Sequence, residues 1–488
     1  MTGKRPIKIK KKDEAAARPV SREGFNKSVF RQPDKVVDPV SGRTMLIEAI
    51  LKGDVERIDD LLASGASAGK LDKNGKSPLH HAVVTGQLQV VERLVAATAA
   101  VNARDKKLMT PLFAALDAPN APEMIALLLK LGASADIADK EGRVPLHAAA
   151  ESRGPEVIAL LAAATENVSR PDGKGVTPLH LACASNKLEA VQTLLRMGAS
   201  HVCATQTGET VLHIAVQRKD SMSVAYFLIN GPAALLANAV ELEGKTPLYY
   251  AAENGNLDLV RRLLGVGADP NMTNKNGVGP LHMAARSGNS AIVKALIAGG
   301  ADVVKGAGLR GFSGPLNQAI SSQDEATVRT LLGAGASPDH GGAGGGTAPL
   351  MHAIYQRNEA AVRILLEADA DPNTSNDRGL SALHLACLNR MIPAARALLE
   401  KGANPTGKAF NGRTPLHMIL DNYVSDIEVV RMMLEKGADP CLRDDMGVTP
   451  YDKAVFEGHT AIAKMFKEHL DKKGATYKPK PPPHWGYW

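Results

Sequence analysis

Aromatic residues make up only 4% of this 488-residue chain, and both tryptophans fall in its last four positions. So few large flat side chains argue against one broad globular core, where such residues carry much of the packing energy. Cysteine is equally scarce: Cys183, Cys203, Cys387 and Cys441 lie far apart with no C-x-x-C pair. Neither a disulfide framework nor a cysteine metal site is expected, and all four are read as reduced. No apolar run reaches the roughly 18 residues needed to cross a bilayer. No apolar segment of about 7 to 15 residues follows the basic stretch Met1–Lys12, so a secretory leader is not expected either. These absences lead to the expectation of an intracellular protein, cytoplasmic or nuclear. The glycine run between Gly341 and Gly346 lacks the Lys-Ser/Thr ending of a phosphate-binding loop, and no cofactor is expected.

What the chain has in abundance is repetition. Thr177-Pro178-Leu179-His180 recurs as Thr414-Pro415-Leu416-His417, and Ser77-Pro78-Leu79-His80, Val144-Pro145-Leu146-His147 and Gly279-Pro280-Leu281-His282 differ only at the first residue. With the Pro position as a ruler, the marks are Met45, Pro78, Pro111, Pro145, Pro178, Val211, Pro247, Pro280, Pro315, Pro349, Ala382, Pro415 and Pro450, spaced by 33 to 36 residues. A Leu-Leu pair such as Leu194-Leu195, then a Gly-Ala step such as Gly198-Ala199, closes most units. Length alone suggests about three domains; thirteen copies of one motif replace that with a single architecture.

The period and the wording resemble the ankyrin repeat, a turn and two helices with a T-P-L-H-x-A core. The resemblance covers residues 44 to about 470 and implies an all-α solenoid of helix pairs joined by β-turn or hairpin loops. In the unit from Asp172 to Ser200, Thr177 suits a helix N-cap and Pro178 the first helical position. Leu179, Ala182 and Cys183 form one apolar stripe and Val191, Leu194 and Leu195 another. Asn186 and Gly198 suit the helix ends. No such unit buries both helices alone, so neighbours must stabilise one another. Met45 and Ile47 in the first unit, and Tyr451-Asp452 in the last, replace the core letters, as expected where one face lacks a neighbour.

Charge is distributed unevenly. Residues 1–44 hold 12 Lys or Arg against 5 Asp or Glu, residues 471–488 hold 4 against 1, and the repeats between are slightly acidic. Three regions follow: a basic, disordered or extended arm over 1–43, the repeats over 44–470, and a Pro/Trp-rich tail over 471–488. Lys10, Lys11 and Lys12 belong to a cluster that suits nuclear import, nucleic acid or an acidic protein, or is simply a solvated tail. Trp485, Tyr487 and Trp488, behind a proline run, suit a docking peptide. The other reading folds them back over the last repeat. Thirteen glycines between Gly299 and Gly346 mark either a hinge or a ragged loop.

Seven of the 14 histidines hold the fourth place of the tetrapeptide, one per unit, too dispersed to converge on a metal or on a nucleophile. Their expected role is a hydrogen bond that holds turn to helix, and no catalytic residue is expected. The resemblance implies that partners meet the turn tips and exposed first helices of a concave face. Projected onto this chain, it selects Lys73, Lys76, Lys140, Arg143, Tyr250, Glu253, Arg286, Tyr355, Arg378, Phe410 and Arg413. For most of these the alternative is ordinary solvated surface. The expected function is a non-enzymatic protein-interaction scaffold or adaptor. The alternative is a component of a nucleic-acid-containing complex, touched by the basic arm.

Overall fold

A computed structural model of the chain describes residues 32–218, 222–231, 233–304, 314–340, 347–421 and 426–480. Among these, twenty-six α-helices fall into thirteen pairs, and each of the thirteen ruler positions is the first residue of a first helix. The local cause is the same in repeat after repeat. Thr177 holds extended dihedrals, its hydroxyl accepts from the His180 N–H, and Pro178 fills the first helical position, where no amide donor is required. Helices Pro178–Ala184 and Leu188–Arg196 follow, separated by Asn186 at φ 52° and ended by Gly198 at φ 88°.

Leu179, Ala182, Cys183, Val191 and Leu194 are fully buried. Leu195, expected beside them, is only half-buried, and Thr193 is buried in its place. One residue further round the helix turns the second leucine by about 100°, out of the seam between the paired helices. Leu62, Leu129, Leu264 and Leu332 repeat this half-buried position.

The chain divides into two compact bodies. The first takes the described residues up to Ala149 with Glu156–Glu166, hence repeats 1 to 4; the second takes Ala150–Pro155 and everything from Asn167 on. In the first body, helix Met45–Lys52 packs on Pro78–Val84, which packs on Pro111–Ala114. Repeat 3 departs from the pattern: its first helix passes into a 3-10 turn over Ala115–Asp117 before helix Ala121–Lys130. In the second body, first helices pack on first helices and second on second. Pro280–Arg286 lies against Pro315–Ser322, and that helix against Pro349–Tyr355. Much of the glycine-rich stretch around these helices, 305–313 and 341–346, lies outside the described residues.

Both ends are finished differently from the middle. Strands Val36–Asp38 and Arg43–Thr44 form an antiparallel hairpin, within the stretch read as the arm, that serves as the turn of repeat 1. At the other end Asp452 takes the place of the histidine and is 2% exposed. It accepts hydrogen bonds from the Tyr477 hydroxyl at 2.9 Å and the Lys480 N–H at 2.6 Å, while the Tyr477 ring lies 6.0 Å from that of Tyr451. The start of the tail therefore occupies the side of repeat 13 that a further repeat would cover. Trp485, Tyr487 and Trp488, like Lys10, Lys11 and Lys12, lie outside the described residues.

Candidate functional site

The histidines are committed inward. In repeat 12 the His417 Nδ1 accepts from the Thr414 N–H at 3.0 Å, and its Nε2 lies 3.1 Å from the Val448 carbonyl of repeat 13. The first contact requires a bare Nδ1 and the second a protonated Nε2, which fixes one neutral tautomer. His80, His213 and His384 make the same pair of contacts, reaching Met109, Lys245 and Arg413 carbonyls, each at 3.1 Å. Burial pushes the His417 imidazole down to about 4, and burial alone takes His282 to about 4. In His80, His213, His384 and His417 both nitrogens are used, and each ring serves as a bolt between repeats, whereas His180 and His282 are held at Nδ1 and their buried Nε2 meets no partner. The thiols of Cys183 and Cys387 are pushed up by complete burial, and none of the four cysteines is in a disulfide.

The turns are built around an inward-pointing acid. Asp72 Oδ1 accepts from the N–H groups of Asn74 and Lys76 at 2.8 and 2.9 Å, and Asp105 does the same for Lys107 and Met109. Neighbouring turns are then stitched by backbone: the Lys106 N–H donates to Asn74 O at 3.0 Å and the Lys140 N–H to Lys107 O at 3.2 Å. Gly75 sits at φ 78°, and a Cβ there would stand 2.8 Å from Lys106 N. Leu108 adopts the same left-handed region at φ 63° where the other turns carry glycine.

The residues selected from the sequence fall into two sets, one in each body. In the first, Lys73 and Lys140 are exposed turn tips, while Lys76 and Arg143 are half-buried beside them. In the second, Tyr250 is half-buried, edge-on to Tyr249 at 5.8 Å and to His213 at 6.3 Å, with the Lys245 ammonium 5.5 Å from its ring centre. Burial, helped by Glu241, pushes its hydroxyl up to about 12. Glu253 and Arg286 are exposed at the ends of their first helices. Tyr355 accepts from Asn376 Nδ2 at 3.0 Å, and the exposed Arg378 gives its carbonyl to the Phe410 N–H. Phe410 is 88% exposed.

Arg413 is tied down: its Nη2 grips both Asp421 oxygens at 2.6 and 2.7 Å, and Lys453 also reaches that carboxylate. Burial raises the Asp421 carboxyl, but the hydrogen bonds from Arg413 and Lys453 prevail and hold it below the usual range. Two surface residues that the projection passed over, Lys106 and Lys107, stand between Lys73 and Lys140. Their signal was the Asp-Lys step shared by Asp72-Lys73, Asp105-Lys106 and Asp139-Lys140, obscured by leucine in place of glycine at 108.

A family model described as Ankyrin repeats (3 copies) matches residues 24–105, 46–139, 112–205, 146–233, 212–307 and 316–409, and one described as Ankyrin repeat matches 411–445. The chain belongs to the ankyrin-repeat family. No curated protein matches it. Ankyrin repeats generally mediate protein–protein interaction, and their division of labour is visible here. Histidines of repeats 2, 6, 11 and 12 hold those repeats to their successors, while the tips and first-helix ends carry the residues that vary from repeat to repeat. Among the described residues no helix is long and apolar enough to cross a membrane, and no group of three His, Cys, Asp or Glu is placed to hold a metal ion.

Proposed function

We propose that the chain is a non-enzymatic scaffold or adaptor inside the cell, binding other proteins through its turn tips and first-helix ends and through its two tails. The observation that carries the reading is where chemistry has been spent. The imidazoles of the repeated tetrapeptide and the thiols of Cys183 and Cys387, groups from which catalysis is usually built, are buried, four of the imidazoles bonded to the next repeat, whereas aromatic and cationic side chains such as Phe410, Tyr355 and Arg286 face solvent. Exposed large apolar groups rimmed by polar residues suit a protein partner. Trp485, Tyr487 and Trp488 are proposed as a second anchor, and the stretch 299–346 as a point of give between repeats.

The test is affinity capture with three forms: the full chain, the chain without 1–31 and 481–488, and the full chain carrying Tyr355→Ala and Phe410→Ala. A partner retained equally by all three would remove the surface and the tails from the proposal together. The alternative, a component of a nucleic-acid-containing complex touched by Lys10, Lys11 and Lys12, predicts that binding weakens steeply with salt in proportion to the phosphates neutralised.

A further inference from the structure

We infer that the turn tips of the first body are a docking strip for an acidic segment of another protein, held by Lys73, Lys106, Lys107 and Lys140. This deepens the scaffold reading by giving one of its surfaces a partner chemistry, and it rests on that reading.

Lys73, Lys106 and Lys140 occupy the same place in three successive turns, the residue after the inward-pointing acid. The backbones of those turns are hydrogen-bonded in series, Lys106 N–H to Asn74 O and Lys140 N–H to Lys107 O. That pairing sets the tips of adjacent turns side by side, so their ammonium groups repel one another, most strongly at low salt. Like charges held on adjacent turns cost stability. The carboxylates of Asp72 and Asp105 are buried and turned onto backbone N–H groups. Among the described residues, no carboxylate pairs with any of these four ammonium groups. Beside the row lies a groove of about 460 Å³ whose lining includes Lys76, Lys106, Lys107 and Asp117. An extended segment laid along the tips meets a cation at each turn and has the groove for a side chain.

The composition of the strip selects the partner. No aromatic residue stands at these tips to stack a base, and the carboxylates of Glu141 and Asp117 interrupt the positive field. A continuous polyphosphate suits this surface poorly, whereas a segment of spaced Asp or Glu side chains suits it well. The chain's own tails are excluded as occupants by their charge, since residues 1–44 and 471–488 are both net basic.

The experiment titrates the full chain against a fluorescein-labelled Glu-rich peptide of roughly twelve residues, followed by anisotropy at rising salt. A single-stranded RNA of matched charge is titrated in parallel. The strip variant carries K73E, K106E and K140E; the control carries K275E, K294E and K436E, exposed lysines of the second body. The expected result is peptide binding that the strip variant weakens by about tenfold or more and the control leaves within about twofold. If the triple variant does not fold, K106Q with K107Q replaces it, with a loss of about threefold expected.

With the repulsion removed, K106Q alone should melt no lower than the parent chain, a readout that needs no ligand. Equal losses in strip and control variants, tighter binding of the RNA than of the peptide, or unchanged peptide affinity in the strip variant would each overturn the inference. The last outcome would assign the peptide to the N-terminal arm. None of these outcomes touches partner capture through Tyr355 and Phe410, so the scaffold reading stands or falls separately.

Discussion

Replacing Tyr477 by phenylalanine tests how the array is closed at its C-terminal end. In repeats 2, 6, 11 and 12 the imidazole Nε2 meets a carbonyl of the next repeat at 3.1 Å. In repeat 13 a carboxylate replaces the imidazole. Asp452 is 2% exposed and takes the Thr449 N–H at 3.1 Å, the Lys480 N–H at 2.6 Å and the Tyr477 hydroxyl at 2.9 Å. The donors and acceptors have been exchanged, so that residues 477–480 donate where a carbonyl of the next repeat accepts elsewhere.

Tyr477→Phe keeps the ring over Tyr451 and removes only the hydroxyl, leaving a buried charge one donor short. A hydrogen bond to a charged group is worth about 1.5–3 kcal/mol, so a loss of about 2 kcal/mol is expected. In a repeat array each unit leans only on its neighbours, so the loss should appear as fraying of repeat 13 rather than as global unfolding. Native-state hydrogen exchange reads this directly. Protection in helices Pro450–Phe456 and Thr460–Lys472 should fall about 30-fold, with helices before residue 400 unchanged. A double-mutant cycle with Asp452→Ala should show a coupling of about 1–2 kcal/mol. A change in protection of less than about threefold, or additive single effects, would refute the cap. Deleting 477–488 should cost more than Tyr477→Phe, because the Lys480 donor and the ring contact go with it.

The buried histidines make stability depend on pH in a predictable direction. Free imidazole titrates near 6.5 and His417 in the folded chain near 4, so in between the unfolded chain binds the extra proton. The stabilisation is whole above about pH 6.5 and is lost as pH falls toward 4, by about 3 kcal/mol for this residue. Urea titrations from pH 7.5 to 4.5 should show that slope reduced in His417→Gln. Gly175→Ala should destabilise by about 2 kcal/mol, because φ there is 78° and the added Cβ would stand 2.8 Å from Gln206 N; a melting temperature within a degree of the parent would contradict this. Arg413→Ala should cost about 1 kcal/mol, since its pair with Asp421 is part-exposed and Lys453 remains. If partner capture falls instead while stability holds, Arg413 belongs to the interface rather than to the frame.

Much of this molecule was legible from one period. Thirteen marks read from the tetrapeptide each open a helix, because the pattern is local: a capping hydroxyl, a proline that needs no donor and a histidine three residues on are all decided within one turn. The inward role of the histidines was legible for the same reason. The candidate surface was less so. Arg413 reads as an exposed tip cation until its grip on Asp421, eight residues away, is seen. Lys106 was passed over because a leucine holds the left-handed place that glycine marks in other turns.

What the amino-acid order determined alone is the repeat, its helices and the bond from each N-cap to the histidine three residues on, since every one of those depends on residues within about one helical turn of each other. Only the tertiary structure decided which leucine of each pair meets its neighbour, that a carboxylate at 452 receives the tail, and that lysines 33 or more residues apart line up. Those contacts join residues about one repeat apart, where separation along the chain fixes neither distance nor direction until the repeats have stacked.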